Sequence, residues 1–389
     1  MGSAPVETVL PPTASPSDDG SAGAVARNKF SCPACGGEAR WDPAKQALVC
    51  PYCGNTSPAV LQTSSSGETS IQELDLAAAL RSIPDSARGW NAQKTSVKCQ
   101  SCQAISVFDP ERVSQRCDFC GSSALVPYEQ IKEAFRPESL LPMKLNESRV
   151  RDDVRKWYGS HFWAPNKLKS RAVTDQVHGM YIPYWTFDAQ AAAQWTAESG
   201  DYYYVTEQYT DSQGRSRTRQ VQKVRWYPSH GSLNHFFDDE LVAASKGVHA
   251  DLLREVEPFE TNDLVPYDPG FLSGWVVERY QIDLGAAASA SREQMQSKLQ
   301  ALCAARVPGD THRNLQVHSQ YTEQTFKHVL VPLWLLNYQY GARKFQVVMN
   351  GHSGRIAGKY PLSAAKITCA VLLGLVALAL ALYMVAQNR

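Results

Sequence analysis

The sequence predicts a multi-domain chain with two small β-rich modules built on cysteines, then a strand-rich α+β domain, and finally one transmembrane helix. Three observations lead to this prediction. Eight of the ten cysteines repeat one spacing, most of the stretch 128–365 reads as strands, and no charged residue occurs at 367–386. The composition, 43% hydrophobic and 20% charged residues over 389 positions, is that of an ordinary globular protein.

The beginning of the chain, residues 1–28, is rich in Pro, Ser, Ala and Gly and has few bulky apolar side chains. This composition predicts a flexible tail. The same stretch shows no basic start followed by an apolar core, so the sequence gives no sign of an export signal.

Each cysteine module contains two CxxC pairs, and the second module repeats the first at a constant offset of 67 positions. Two close pairs of thiolates can surround one ion as a tetrahedron, and a closed site of four thiolates suits structural zinc best. The sequence therefore predicts two zinc ribbons, at 29–58 and 94–127, and two zinc ions per chain. The predicted ligands are Cys32, Cys35, Cys50, Cys53, Cys99, Cys102, Cys117 and Cys120.

Other interpretations of the cysteines are weaker. Disulfides would need an oxidising compartment, and thioredoxin-like chemistry would use one CxxC pair rather than four. An iron-bound or redox-active version of the same sites remains an alternative. Glycine follows three of the four pairs, at Gly36, Gly54 and Gly121, whereas Gln103 follows the fourth. A less regular turn is therefore expected at Gln103.

The linker between the ribbons, 59–93, has apolar residues at helical spacing. We expect a short amphipathic helix over Ile71–Ile83, with Ser70 as its cap and Pro84 as its end.

The domain at 128–365 is expected to be α+β and rich in antiparallel strands, with helices over Glu147–Tyr158 and Ser291–Arg306. The segments YIPYW at 181–185 and LVPLW at 330–334 share Pro and Trp at an offset of 149 positions. This echo is either a duplicated strand-entry device or a coincidence, and we favour duplication.

One predicted hairpin has a basic face. After the turn Asp211–Gly214, five cations stand at alternate positions, which places them on one side of a strand. They are Arg215, Arg217, Arg219, Lys223 and Arg225. Pairing of Thr210 with Arg215 would add Tyr202, Tyr204 and Thr206 to that face. The face is interpreted first as a solvated edge, then as a contact for anionic lipid headgroups, and last as a contact for nucleic acid.

The final segment, 366–389, is predicted to be a membrane anchor. Its twenty uncharged residues, 367–386, would span about 30 Å as a helix, which is the hydrocarbon thickness of a bilayer. A buried core helix is the alternative, and a glycolipid-anchor signal would also require an export signal. Cys369 could be acylated but is better explained, like Cys303, as an apolar packing residue.

Two arguments predict the orientation of the chain in the cytoplasmic membrane. Thiolate metal sites need a reducing compartment, which places the N-terminal portion in the cytoplasm. Arg355, Lys359 and Lys366 precede the helix, whereas Arg389 follows it, in agreement with the positive-inside rule.

The charge of the chain argues against a general affinity for nucleic acid. The formal net charge is +1, and a zinc ion with four thiolates carries −2, so two such sites would bring the chain to about −3. Each ribbon, with its metal, would then be slightly acidic, whereas phosphate binding depends on a basic footprint. The ribbons are therefore expected to contact proteins.

No catalytic constellation is apparent in the sequence. It contains no HExxH motif, no phosphate-binding loop and no nucleophile elbow. His230 and His235 flank an expected Gly-Ser-Leu-Asn turn, but such histidines are usually surface or core residues. The sequence predicts a protein that is not an enzyme.

Four features of the sequence resemble those of a known family. They are the paired ribbons, the YIPYWTFDA segment at Tyr181–Ala189, the MNGHSGRIAGKYPLS segment at Met349–Ser363 and the last helix. Together they look like a bacterial family of membrane-anchored zinc-ribbon proteins, labelled as containing a transcription factor IIB-type zinc ribbon or as primosomal helicase-like. The resemblance covers most of the chain from Phe30 onward. It implies metal ligation by the eight cysteines and an association with phage-shock-protein A-like or SPFH-type partners in membrane stress.

The sequence thus leads to one main hypothesis, a cytoplasm-facing, membrane-anchored adapter that recruits protein partners through its ribbons and β-rich domain. A membrane-tethered nucleic-acid binder is the alternative. A third option, an enzyme with its site in the β-rich domain, would require a concave pocket that gathers polar groups.

Overall fold

The structure is a computed structural model, and it describes residues 30–57, 71, 73–81, 95–108, 116–119, 122–127, 135–169, 177–210 and 212–387. The predicted tail and most of the predicted linker lie outside these residues. Within them, the predicted strand-rich sheet domain and the C-terminal apolar helix are confirmed.

The first cysteine module forms a small antiparallel sheet of its own. Its four strands follow one another in sequence order, so each is joined to the next by a short connection. The strands are β1 Phe30–Ser31, β2 Glu38–Asp42, β3 Ala47–Val49 and β4 Thr56–Ser57.

A twelve-stranded sheet contains all other strands of the described residues. Its strands are β5 Leu74–Asp75, β6 Thr95–Cys99, β7 Ile105–Phe108, β8 Leu125–Pro127, β9 Ser139–Leu140, β10 Val177–Thr210, β11 Ser216–Ala243, β12 Val265–Pro266, β13 Val276–Glu278, β14 Thr311–Tyr340, β15 Arg343–Asn350 and β16 Ile356–Gly358. The helices are α1 Leu76–Arg81, α2 Glu147–Ser160, α3 Ala250–Val256, α4 Leu284–Ala304 and α5 Ala364–Gln387. Short 3-10 turns occupy Asn166–Lys169, Thr261–Asp263 and Pro269–Leu272.

Two long antiparallel strands, β10 and β14, form the centre of the large sheet. Over 326–336 every residue of β14 is buried, because both faces of the sheet are covered there. Even-numbered residues such as Leu330 and Trp334 pack into one core, and odd-numbered residues such as Val331 and Leu333 pack into the other. The alternation is the period of two that an extended strand imposes.

Three helices cover these cores. Apolar residues of α2 cover the core that contains Leu330, and those of α3 cover the opposite core. Farther along β10, α4 packs on alternate small residues such as Ala189, Ala191 and Ala193, while the opposite face becomes exposed. The sheet is therefore a sandwiched layer at one end and a half-covered layer at the other.

Helix α2 confirms the predicted helix over Glu147–Tyr158 and extends it to Ser160. Helix α4 begins seven residues before the predicted start at Ser291. The Asp283 side chain accepts the Ala286 N–H at 2.8 Å and caps this earlier start. The first turns are rich in alanine, which favours a helix strongly but adds little hydrophobic periodicity.

The predicted linker helix is wrong at its beginning. Leu74 and Asp75 pair with β14, and α1 begins only at Leu76. The Asp75 carboxylate accepts the Ala78 N–H at 2.6 Å, so this residue both ends the strand and caps the helix. The predicted cap Ser70 and terminator Pro84 lie outside the described residues.

The two echo segments are neighbours in the sheet. Tyr181 pairs with Pro332, and Pro183 pairs with Leu330. Ile182, in the middle of the first motif, pairs with Val331, and these two residues are 149 positions apart. A local two-fold axis through this pair therefore places each residue of one motif where the corresponding residue of the other motif lies. A duplicated strand entry would produce this placement, and duplication stays a prediction.

Beyond its first turn, helix α5 does not pack against the rest of the chain in the residues that the structure describes. Its 21-residue stretch Ala364–Met384 contains a window of 18 residues with a mean hydropathy of 2.5, and none of that window is buried against the rest of the chain. Among the described residues it is the one helix long and apolar enough to cross a membrane.

Candidate metal centres

The first cysteine cluster comprises Cys32, Cys35, Cys50 and Cys53, whose sulfur atoms all lie within 4.8 Å of one another. The Sγ atoms of Cys32 and Cys53 are 3.5 Å apart, as are those of Cys35 and Cys50. A disulfide would bring two sulfurs to about 2.05 Å. Four thiolates at about 2.3 Å from one ion would be roughly 3.8 Å apart, so the observed spacing suits ligands around a metal.

Two tight turns place these sulfurs. The Cys32 N–H donates to the Gly37 carbonyl at 2.6 Å, and the Gly36 N–H donates back to the Cys32 carbonyl at 2.8 Å. The turn at Cys50 has the same two hydrogen bonds, made with Asn55 and Gly54 at 2.9 Å each. Gly36 and Gly54 have φ of 72° and 74°, which is the conformation that glycine adopts without strain.

The same turns favour the thiolate form of their first cysteine. Although burial raises the pKa of Cys32, the N–H groups of Ala34 and Cys35 point at its sulfur and lower that pKa to about 6. The Cys53 N–H lowers the pKa of Cys50 in the same way. The Asn55 N–H also lowers the pKa of Cys53, but the neighbouring Cys35 sulfur opposes it, and that pKa rises to about 12. Four thiolates therefore repel one another unless a cation lies between them.

The second cysteine cluster contains Cys99, Cys102 and Cys117, again within 4.8 Å of one another. The Sγ atoms of Cys102 and Cys117 are 3.6 Å apart. The fourth predicted ligand, Cys120, lies outside the described residues. The structure thus brings seven of the eight predicted ligands into two groups, and each group could hold a metal ion.

The irregular turn expected at Gln103 is wrong. Gln103 adopts a φ of 67° and its N–H donates to the Cys99 carbonyl at 2.9 Å, as Gly36 and Gly54 do in the first cluster. Its side chain also donates to the Gln100 carbonyl at 2.9 Å. This added hydrogen bond offsets the strain of a left-handed conformation for a residue with a side chain.

The first ribbon is packed on the domain through Trp41. The Trp41 ring lies 4.4 Å from the Phe271 ring, centroid to centroid, and is buried in the same core as α2. Its indole N–H donates to the Met143 carbonyl at 3.4 Å. Ser273 makes two hydrogen bonds to the backbone of β2. Its carbonyl accepts from the Trp41 N–H, and its hydroxyl donates to the Ala39 carbonyl.

The second ribbon continues the large sheet. Strand β13 pairs with the ribbon strand β7 on one side and with β10 on the other. Cys99, Cys117 and Phe119 belong to the core that also contains α3. A metal at this cluster would therefore be joined directly to the sheet of the domain.

One short segment, 269–278, connects the two clusters. Its 3-10 turn and Ser273 hold the first ribbon, and three residues later β13 begins to pair with the second. Sequence patterns missed this segment, because strands of two or three residues leave no periodicity to detect.

A third group, made of acidic residues, comprises Asp188, Asp238 and Asp239. It already contains a cation, because the Lys327 Nζ lies 2.7 Å from an Asp239 oxygen and 3.1 Å from a Glu73 oxygen. Burial raises the pKa of Asp188. Hydrogen bonds donated by the Asp239 N–H and the Thr325 hydroxyl lower this pKa but do not cancel the effect of burial. This group reads as a buried ion-pair network and not as a metal site.

The predicted basic face has a different register from the expected one. Thr210 pairs with Ser216 rather than with Arg215, so Arg215 belongs to the turn. The one-residue slip exchanges the two faces of β10. Three residues expected on the basic face, Tyr202, Tyr204 and Thr206, therefore lie on the opposite face.

The residues that do share the basic face include an acid. Across the two strands, Tyr203 is paired with Lys223, Glu207 with Arg219, and Tyr209 with Arg217, and the side chains of each pair lie on the same face. Glu207 forms ion pairs with Lys223 at 3.0 Å and Arg219 at 3.5 Å. Arg225 lies over the Tyr203 ring at 5.5 Å. These contacts reduce the charge that the face can offer a phosphate backbone.

The expected turn between His230 and His235 is wrong, because both residues lie within the continuous strand β11. They are five positions apart and so face opposite sides of the sheet. The two histidines therefore do not form a common site.

The chain is similar to an uncharacterized protein, YdjG, of Bacillus subtilis strain 168. The two are 23% identical over 253 residues, which cover 63% of this chain and 69% of YdjG. No family model matches the chain, and no solved structure matches it.

Proposed function

We propose that this protein is a non-enzymatic, membrane-anchored adapter that recruits protein partners to the cytoplasmic face of a membrane. In this proposal the two cysteine clusters bind zinc as structural ions, and α5 anchors the chain. The proposal extends to membranes under stress, where the resemblance given above implies phage-shock-protein A-like or SPFH-type partners.

The observation that carries the proposal is a two-stranded arm. Strand β14 begins beside Gly200, and beyond this point β10 and β11 continue as a hairpin over 201–210 and 216–225. At about 3.3 Å per residue the arm is about 30 Å long. A two-stranded hairpin is only marginally stable in water by itself, so a partner that adds contacts would stabilise it.

The surface of the arm suits a protein partner. Four tyrosines are exposed on it, and large aromatic side chains of this kind are typical anchors of protein interfaces. They are Tyr202, Tyr203, Tyr204 and Tyr209. Both edges of the arm also carry backbone groups to which a partner could add a strand.

Zinc is the proposed ion because the donors are thiolates at tetrahedral spacing, and because structural sites of this kind need no open position for a substrate. The cytoplasmic orientation is proposed from the reducing conditions that such sites require, together with Arg355, Lys359 and Lys366, which precede the uncharged stretch of α5.

A photocrosslinking experiment tests the adapter proposal. The full chain is expressed with p-benzoylphenylalanine in place of Tyr204, which is 64% exposed on the arm. The matched control carries the same group in place of Tyr340, an exposed tyrosine at the other end of the sheet. We expect a stoichiometric protein adduct at position 204 alone, and its loss when Cys32 or Cys99 becomes serine. Recovery of the uncrosslinked chain from both variants would contradict the proposal.

The alternative, a membrane-tethered nucleic-acid binder, is favoured by the cations that share the basic face. The detergent-solubilised chain can be titrated with single- and double-stranded DNA over a range of salt. Steep salt dependence, together with loss of binding in Arg217→Glu and Arg219→Glu, would support this alternative over the adapter. The ion pairs of Glu207 lead us to expect weak binding.

A further inference from the structure

The loop after α2 is fastened to the first turn of the apolar helix α5. The Lys366 ammonium donates to the carbonyls of Phe162 and Ala164 at 2.8 Å each, and to the Asn166 side chain at 3.0 Å. These three bonds use all of its N–H donors. The Ser363 N–H adds a fourth link, to the Trp163 carbonyl at 2.8 Å.

The same loop is also packed against the domain. Ala164 and Leu168 are fully buried in the core that α2 covers. The His161 ring packs against Trp157 at 4.5 Å and against Tyr360 at 4.4 Å, centroid to centroid. The loop and the start of α5 therefore form one unit with the domain.

Three large apolar side chains at this junction point into solvent. Phe162 is 68% exposed, Trp163 is 40% exposed, and Leu362 is 60% exposed. The Phe162 and Trp163 rings contact each other edge to face at 5.1 Å. Such a patch is costly to leave in water, and aromatic residues of this kind concentrate where a membrane meets water.

The position of the patch identifies its occupant. If α5 spans a bilayer, lipid surrounds it from about Ala364 onward, and Lys366 lies only about 3 Å along the axis from that residue. The backbone of Phe162 and Trp163 is hydrogen-bonded to this same turn. The interfacial layer of the bilayer therefore lies at the level of both rings, and the Lys366 ammonium, 5.4 Å from the Phe162 ring, remains at the polar boundary.

We propose that Phe162, Trp163 and Leu362 insert into the headgroup region of the bilayer that α5 spans, as a second membrane contact. This inference rests on the membrane anchor in the proposed function and goes beyond it. The patch and the helix together fix the orientation of the domain, so the ribbons and the arm are held at a constant angle and height above the lipid.

The test uses the full chain in vesicles of phosphatidylcholine and phosphatidylglycerol whose acyl chains carry bromine, which quenches nearby tryptophan. Bromine is placed near the headgroups in one set and near the bilayer centre in the other. Trp163→Phe keeps an aromatic ring at the patch and removes its indole emission. The matched control is Trp226→Phe, at the base of the arm, where Trp226 pairs with Gly200.

We expect more quenching by the shallow bromine than by the deep bromine. Trp163→Phe should remove more than half of the shallow quenching, and Trp226→Phe should leave it unchanged. Thermal unfolding of both variants should match that of the unchanged chain, which confirms that each is folded.

Flotation of the vesicles separates the two possible failures. If the chain floats with the vesicles but Trp163→Phe leaves the quenching intact, the second contact is wrong and the anchor stands. If the chain does not float with the vesicles, both the anchor and the second contact are overturned.

Discussion

Replacing Lys327 by methionine should destabilise the domain strongly, because this buried lysine neutralises a group of carboxylates. Lys327 is 6% exposed as a residue, and its ammonium contacts Asp239 at 2.7 Å and Glu73 at 3.1 Å. The Asp239 side chain is itself only 11% exposed, and Asp188 beside it is buried. Methionine keeps an unbranched apolar side chain, one atom shorter than that of lysine, but removes the positive charge.

Removing one partner of a buried ion pair typically costs about 3 to 5 kcal/mol, because the remaining charge stays buried without compensation. For a domain of this size, each kcal/mol shifts the midpoint of thermal unfolding by about 2 to 4 °C, so we expect a fall of roughly 6 to 20 °C. Lys144→Met is the matched control. Its ion pair with Asp263, at 2.7 Å, is about half exposed on both sides and should contribute no more than about 1 kcal/mol.

The assay is thermal unfolding of the full chain in detergent, followed by tryptophan emission. The double variant Lys327→Met with Asp239→Asn should recover part of the loss, since it removes one uncompensated carboxylate. A midpoint for Lys327→Met no lower than that of Lys144→Met would refute the reasoning.

Three further predictions concern the turns, the pH dependence and the metal. Asn350→Ala should cost about 3 kcal/mol of unfolding free energy by denaturant titration, because the buried side chain makes three hydrogen bonds to backbone groups. Burial raises the folded-state pKa of Glu138 to about 7, so the folded chain retains a proton that the unfolded chain loses, and stability falls as pH rises from about 4.5 to 7. The unfolding free energy of Glu138→Gln should therefore rise relative to that of the unchanged chain by up to about 3 kcal/mol between pH 4.5 and 7, measured by matched denaturant titrations. If the difference between the two unfolding free energies is the same at every pH, the prediction is wrong. Elemental analysis should find two zinc ions per chain and one after either Cys32→Ser or Cys99→Ser.

The elements that sequence could predict are those with long, repeated signals. The cysteine spacing located both clusters, the uncharged stretch located α5, and the apolar positions of α2 located that helix to within two residues. Each of these signals is local, so no tertiary contact is needed to interpret it.

What sequence could not predict depends on contacts between distant residues. The register of the arm followed from a turn one residue longer than expected, in which Gly214 adopts a φ of 76°. The attachment of the second ribbon to the large sheet depends on β13, which is three residues long. Lys327 gave no signal in the sequence, because its carboxylate partners come from other strands and from the segment before α1.

A turn at Asn350 has the backbone hydrogen bonds of the cysteine turns but contains no cysteine. It therefore shows which features of those turns do not depend on cysteine. At Asn350 the backbone repeats the turn of the clusters, since the Asn350 N–H donates to the Arg355 carbonyl and the Gly354 N–H donates back to the Asn350 carbonyl. The Asn350 side-chain oxygen accepts the N–H groups of His352 and Ser353 at 2.9 and 3.0 Å, as the Cys32 sulfur accepts those of Ala34 and Cys35. A neutral amide oxygen is thus enough to hold this backbone. Cysteine in the other turns is explained by the convergence of the sulfurs in each cluster, which is a requirement of metal binding and not of the turn.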